Sequence, residues 1–99
     1  MIQHICMFKL QQEDHEAVLQ KALELAEPLH TLSSTRGGKT VVNASCAPEN
    51  NYDLCLIYDF ETIDDLNAYQ NDPIHLAFKN YVVEHMVSRA CIDYEKQFM

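Results

Sequence analysis

The stretch Tyr52–Phe78, "YDLCLIYDFETIDDLNAYQNDPIHLAF", changes its periodicity once and then restarts. From Tyr52 to Phe60 the residues alternate, with Leu54, Leu56, Tyr58 and Phe60 on one side and Asp53, Cys55, Ile57 and Asp59 on the other, the period of a strand. Past Glu61 the spacing becomes helical: Ile63, Leu66 and Tyr69 share a face, and Thr62 stands three residues before Asp65 as a weak form of capping box. Asp72 then precedes Pro73. An acceptor at the cap with proline at the first helical position restarts a helix, because the N–H that proline lacks would have gone unpaired there anyway. Ile74, Ala77, Phe78, Tyr81, Val82 and His85 carry this second helix to about Val87. The stretch therefore predicts a strand followed by a helix broken in two.

Outward from this stretch, Ile2–Leu10 alternates in the same way, with His4, Cys6, Phe8 and Leu10 on one face and Gln3, Ile5, Met7 and Lys9 on the other. Both faces are apolar in the middle of the strand, so the sheet wants cover on both sides. Val18, Ala22, Leu25, Ala26 and Leu29 form one long amphipathic helix that ends near Pro28 or His30. The polar run "TLSSTRGGK" holds both glycines and predicts a turn into a short strand, "KTVVNAS". The last strand is "SRACIDYE", Ser88–Glu95. The order β-α-β-β-α-α-β is that of an α+β, ferredoxin-like subunit with a four-stranded antiparallel sheet. One layer of helices covers only one face of such a sheet. A second copy closing over the other face, giving a homodimeric α+β barrel, is the expected solution.

Composition bounds the rest. Ninety-nine residues suit a single domain over 1–99, which at this size buries roughly 60 to 68% of its unfolded surface. With 7 basic against 15 acidic residues the formal charge is −8, and the cations are scattered, which argues against nucleic acid as a partner. The apolar runs are too short for a bilayer, and Met1 leads straight into a strand pattern without a secretory signal, so the expected location is cytoplasmic. Cys6, Cys46, Cys55 and Cys91 form no Cys-x-x-Cys pair and are expected as free, mostly buried thiols. The five histidines show no metal-binding spacing, so no metal is expected.

"HICMFKL" at the start, "YDLCLIYDFETIDDLNAYQNDPIHLAF" in the centre and "SRACIDYE" at the end, in this order over roughly Met1 to Glu95, resemble the stress-responsive A/B barrel domain (Dabb) family. The resemblance implies a small ferredoxin-like subunit that dimerises into an α+β barrel. It is similar, more distantly, to a plant member of the family, an olivetolic acid cyclase that closes a polyketide chain without metal or organic cofactor. In that cyclase a tyrosine and a histidine six residues later, in a His-Pro-x-His context, carry the chemistry. Tyr69 and His75 stand at those two places, and His4 matches a pocket histidine on the first strand. Asp72 departs from the pattern, standing where the family usually has the first histidine.

The resemblance thus makes His75 and Tyr69 candidate catalytic residues, and His4, Phe8 and Phe78 candidate substrate-binding residues, with no cofactor. A neutral histidine can take or give a proton near pH 7, and a tyrosine hydroxyl can steady the enolate left when a proton leaves beside a carbonyl. The plain alternatives are a surface or capping role for His75, a packing role for Tyr69 with its hydroxyl in water, and a buried histidine at a dimer seam for His4. Two functions follow. One is a cofactor-independent acid/base enzyme, of cyclase, lyase or isomerase type, acting on a small carbonyl compound. The other is a non-catalytic small-molecule-binding or stress-associated structural dimer. A cofactor-free monooxygenase rests on fold analogy alone.

Overall fold

The computed structural model describes residues 1–96. Strand β1 (Ile2–Leu10) leads into helix α1 (His15–Ala26), which continues as a 3-10 helix over Glu27–Thr31. Strands β2 (Gly37–Val42) and β3 (Leu54–Phe60) follow, then α2 (Ile63–Asn71), α3 (Pro73–His85) and β4 (Met86–Glu95). The four strands form one antiparallel sheet in the order β2-β3-β1-β4, the ferredoxin-like arrangement that the element order predicts.

The broken helix is capped as its sequence requires. The Thr62 hydroxyl accepts from the Asp65 N–H at 3.2 Å, and the Asp72 carboxylate accepts from the Ile74 N–H at 2.9 Å. Pro73 fills the first helical position, where no donor is needed. The Asp72 backbone is extended at the join, so α3 sets off in a new direction and its third residue, His75, faces the protein interior.

One face of the sheet and one stripe of each helix make the core. Cys6, Phe8, Leu10, Leu54, Leu56, Tyr58 and Phe60 pack against Val18, Ala22, Ala26, Leu29, Leu66, Tyr69, Phe78 and Val82. These are the positions selected by the two periodicities, together with His4 at the same strand face. Truncating one of the large ones, such as Phe60 or Phe78, to alanine costs about 3–5 kcal/mol in a core of this kind.

The opposite sheet face carries a row of three isoleucines, Ile57, Ile5 and Ile92, directly opposite one another on β3, β1 and β4. A second row runs Val41, Cys55, Met7 and Ala90. Among the described residues no helix lies over these rows: Ile92 is 60% exposed and Val41 37%.

Three local expectations are corrected. Gly37 and Gly38 lie inside β2, and the turn lies earlier, where the Thr35 N–H bonds the Leu32 carbonyl. Gly37 has a φ of 124°, and a side-chain carbon on Gly38 would collide with the Ile57 carbonyl and the Tyr58 ring, so close approach rather than turning demands that glycine. β4 begins at Met86, two residues before the predicted Ser88, because α3 passes into it without a loop. Finally, Cys6 and Cys91 are not free thiols. They stand directly opposite on β1 and β4 with Cα atoms 4.1 Å apart, and they are joined as a disulfide across 85 residues. Cys46 is exposed and Cys55 half-buried. Strand register, which spacing along the chain does not reveal, made the pair.

Candidate functional site

A cavity of about 190 Å³ opens between α3 and the β1–β4 half of the sheet. β1 supplies His4, Cys6 and Phe8, α3 supplies His75, Phe78, Lys79 and Val83, and Leu56, Gln70, Met86 and Arg89 complete the wall. The placement follows from local structure. His4, Cys6 and Phe8 are successive inward positions of one strand, whereas His75, Phe78 and Lys79 share one face of α3. His4, Phe8, His75 and Phe78, all expected at a pocket, are brought together here.

Tyr69 is placed differently. It is completely buried and lies behind His75, outside the cavity lining, with ring centroids 4.7 Å apart. Its ring is wedged against Phe60 at 4.9 Å, Tyr58 at 5.8 Å and His4 at 6.2 Å. The alternative that left its hydroxyl in water fails, because α2 lays this residue onto the sheet rather than along the core edge. The alternative that made His75 a surface or capping residue fails too: Asp72 does the capping, and His75 is 8% exposed.

Two polar atoms at this spot, the Tyr69 hydroxyl and His75 Nδ1, are buried without a hydrogen-bond partner among the described residues. Folded proteins rarely leave such groups unpaired, and each costs about 1–3 kcal/mol when they do. Burial also fixes their protonation. It pushes the His75 imidazole down to about 4, with nearby His4 the next cause, Lys79 adding to it, and the Gln70 backbone carbonyl and Asp72 working the other way. It pushes the Tyr69 phenol well up, with Tyr58 reinforcing it. At neutral pH the pair is therefore a neutral imidazole and a firmly protonated phenol.

His4 has the partner that the other two lack. Its Nδ1 meets the Asp93 carboxylate on β4, the residue directly opposite in the ladder. A carboxylate can only accept, so Nδ1 carries the hydrogen, and in the neutral imidazole Nε2 presents a lone pair. His4 itself is 3% exposed, so the fold holds one tautomer in a fixed place at the cavity wall.

Sequence reasoning missed Asp93, Gln70, Lys79, Met86 and Arg89. The alternation in "SRACIDYE" does place Arg89, Cys91 and Asp93 on one face, and an aspartate on a strand face shared with a cysteine was a usable signal. The register that sets this face beside His4, Cys6 and Phe8 came only with the structure. Among the described residues, no group of three or more His, Cys, Asp or Glu is arranged to hold a metal ion, and no helix is long and apolar enough to cross a membrane.

Comparison with known proteins agrees with this architecture. Residues 2–96 match the family described as Stress responsive A/B Barrel Domain. Among solved structures, a dimeric protein of unknown function and ferredoxin-like fold from Bacteroides fragilis is 30% identical, with a TM-score of 0.84 over 96% of this chain and 95% of that one. A Dabb family protein with a ferredoxin-like fold from Mesorhizobium loti is 19% identical, with a TM-score of 0.77 over 98% and 97%. An antibiotic biosynthesis monooxygenase, 12% identical with a TM-score of 0.80 over 98% and 99%, shares the fold. No curated protein matches the chain by sequence.

Proposed function

The chain belongs to the stress-responsive A/B barrel domain family, and from that premise we propose that it is a homodimeric, cofactor-independent acid/base enzyme acting on a small carbonyl compound. The observation that carries the proposal is the pairing of a carboxylate-backed His4 with a neutral, unpartnered His75 at one cavity.

The division of labour follows from protonation. His4 Nε2, with its lone pair free, removes a proton from the carbon next to the substrate carbonyl: the C–H bond breaks, its electron pair becomes the enolate, and the proton rests on His4 while Asp93 offsets the charge. An imidazole held at about 4 is a weak base at neutral pH but a serviceable neutral donor, so His75 hydrogen-bonds the carbonyl oxygen as negative charge builds there. Tyr69 acts through His75 as a positioning residue. Its ring, packed 4.7 Å from the imidazole, holds His75 in place at the cavity wall. The enolate then attacks a second carbonyl, expels a leaving group or is reprotonated, which are cyclase, lyase and isomerase outcomes of one step. Phe8 and Phe78, packed edge to face at 5.6 Å, supply an apolar wall.

The homodimer is supported by the uncovered Ile57–Ile5–Ile92 row, which wants a partner of the same character, and by the dimeric state of the Bacteroides fragilis relative. The monooxygenase reading rests on a fold shared at 12% identity, and we do not adopt it.

The test is proton exchange. Incubated in D2O with 5-oxo-5-phenylpentanoate, the protein should speed deuterium uptake at the carbon beside the ketone, followed by proton NMR. His4→Gln should lower that rate by about 10²-fold or more. A wild-type rate equal to buffer alone would leave the family's non-catalytic reading, a binding or structural dimer, as the better one.

A further inference from the structure

The wall of the cavity is electrostatically at odds with the rest of the protein. The chain has a formal charge of −8, yet no aspartate or glutamate lines the cavity, while two of its seven cations, Lys79 and Arg89, do. Lys9, Arg36 and Lys96 each meet a carboxylate elsewhere. Lys79 and Arg89, like Lys21 and Lys39 elsewhere on the surface, have neither an ion-pair partner nor a side-chain hydrogen bond among the described residues. They come from different elements, α3 and β4, so helix or strand periodicity does not account for their meeting at one opening.

Their positions relative to the acid/base groups are set by the backbone. Lys79 lies one helical turn beyond His75, about 6 Å along α3. Arg89 stands opposite Phe8, four residues along the ladder from the His4–Asp93 pair, about 13 Å. Both are exposed, while His4 and His75 are buried. The cavity therefore has a hydrogen-bonding floor at His4 and His75, an apolar middle at Phe8, Phe78 and Leu56, and a cationic mouth. An arginine fork and a lysine point charge at one cavity are groups suited to a compact oxyanion.

We infer that the ligand of this site is an amphipathic anion, a carbonyl compound bearing a carboxylate or phosphate several bonds from the carbonyl, with Lys79 and Arg89 holding the charged end at the mouth. The inference deepens the acid/base reading and rests on it for the carbonyl end, while the anionic end stands on the two cations alone.

Isothermal titration of the full chain with 5-oxo-5-phenylpentanoate, its methyl ester and 5-oxo-5-phenylpentyl phosphate tests this. The acid should bind about tenfold or more tightly than the ester, a preference that fades with added salt because the cations are exposed. The double variant Lys79→Gln, Arg89→Gln should lose that preference, acid and ester then binding alike. A phosphate that binds more tightly than the carboxylate would assign the charged end to phosphate. Equal binding of acid and ester, no binding of either anion, or a preference that survives the double substitution would overturn the inference. The exchange assay separates the two readings. Tight anion binding without deuterium uptake sinks the acid/base chemistry and keeps the anion site, whereas uptake that is equally fast for acid and ester, with equal affinities, does the reverse.

Discussion

His4 and Asp93 meet across the β1–β4 ladder, Nδ1 to carboxylate, although 89 residues separate them in the chain. The contact joins a histidine that the fold has sealed from water to a carboxylate that is still 40% exposed. The exposed partner can therefore be altered at small structural cost, and this isolates its effect on the buried one.

Asp93→Asn should leave the melting temperature nearly unchanged and lower ketone proton exchange by about tenfold or more, since an amide can offer the imidazole either a donor or an acceptor and no longer fixes its tautomer. Nitrogen NMR of His4 gives a readout that a purely structural role would not move. The wild type should show a single Nδ1–H form and the variant a mixture. A variant that keeps both the tautomer and the exchange rate would remove Asp93 from the mechanism.

Tyr69→Phe separates packing from chemistry. The ring contacts with Phe60, Tyr58 and His75 remain, and only a buried hydroxyl without a partner is lost. Stability should stay level or rise by up to about 1–3 kcal/mol in urea unfolding, and exchange activity should hold, because the ring that steadies His75 remains. A clear loss of stability would mean that the hydroxyl has a structural partner, and Tyr69 would return to the bland role of a core residue.

His75 should leave a mark on the pH dependence of stability. Its folded-state value of about 4 lies below the ordinary value of about 6.5, so the unfolded chain takes up a proton first as pH falls. The stabilising effect is complete above about pH 6.5 and is lost progressively down to about pH 4, a change on the order of 3 kcal/mol. Urea midpoints measured across this window should fall more steeply for the wild type than for His75→Gln, which cannot take the proton. Parallel curves would show that His75 is not held neutral by its surroundings.

Much of the fold was legible because the periodicities are clean. Leu54, Leu56, Tyr58 and Phe60 alternate, Asp72-Pro73 marks its own helix start, and those residues fold as their pattern requires. Gly38 was misread because a glycine needed for close approach to Tyr58 looks, in sequence, like a glycine needed for a turn. The site was half legible. His4 and His75 were proposed by resemblance, but Asp93 reaches His4, and Lys79 and Arg89 reach the cavity, through strand register and the path of α3 after its break, which are long-range facts. The Cys6–Cys91 pair escaped for the same reason.

The uncovered sheet face gives the last prediction. Ile5, Ile57 and Ile92 align across three strands, with Val41 and Met7 in the neighbouring row, and Ile92 is exposed by more than half. If a second copy buries this face, Ile92→Asp places a carboxylate within a largely apolar surface, a cost of about 3–5 kcal/mol at each site. Since 1.4 kcal/mol is a factor of ten, dimer affinity should fall by at least about 10²-fold. Sedimentation velocity should then find the wild type as a dimer and the variant as a monomer at the same concentration. The substitution lies on the sheet face opposite His4, so if the site belongs to one subunit, a folded monomer keeps its proton-exchange activity. A wild type that sediments as a stable monomer would show that this face needs no cover, and the barrel proposed for the protein would have to be abandoned.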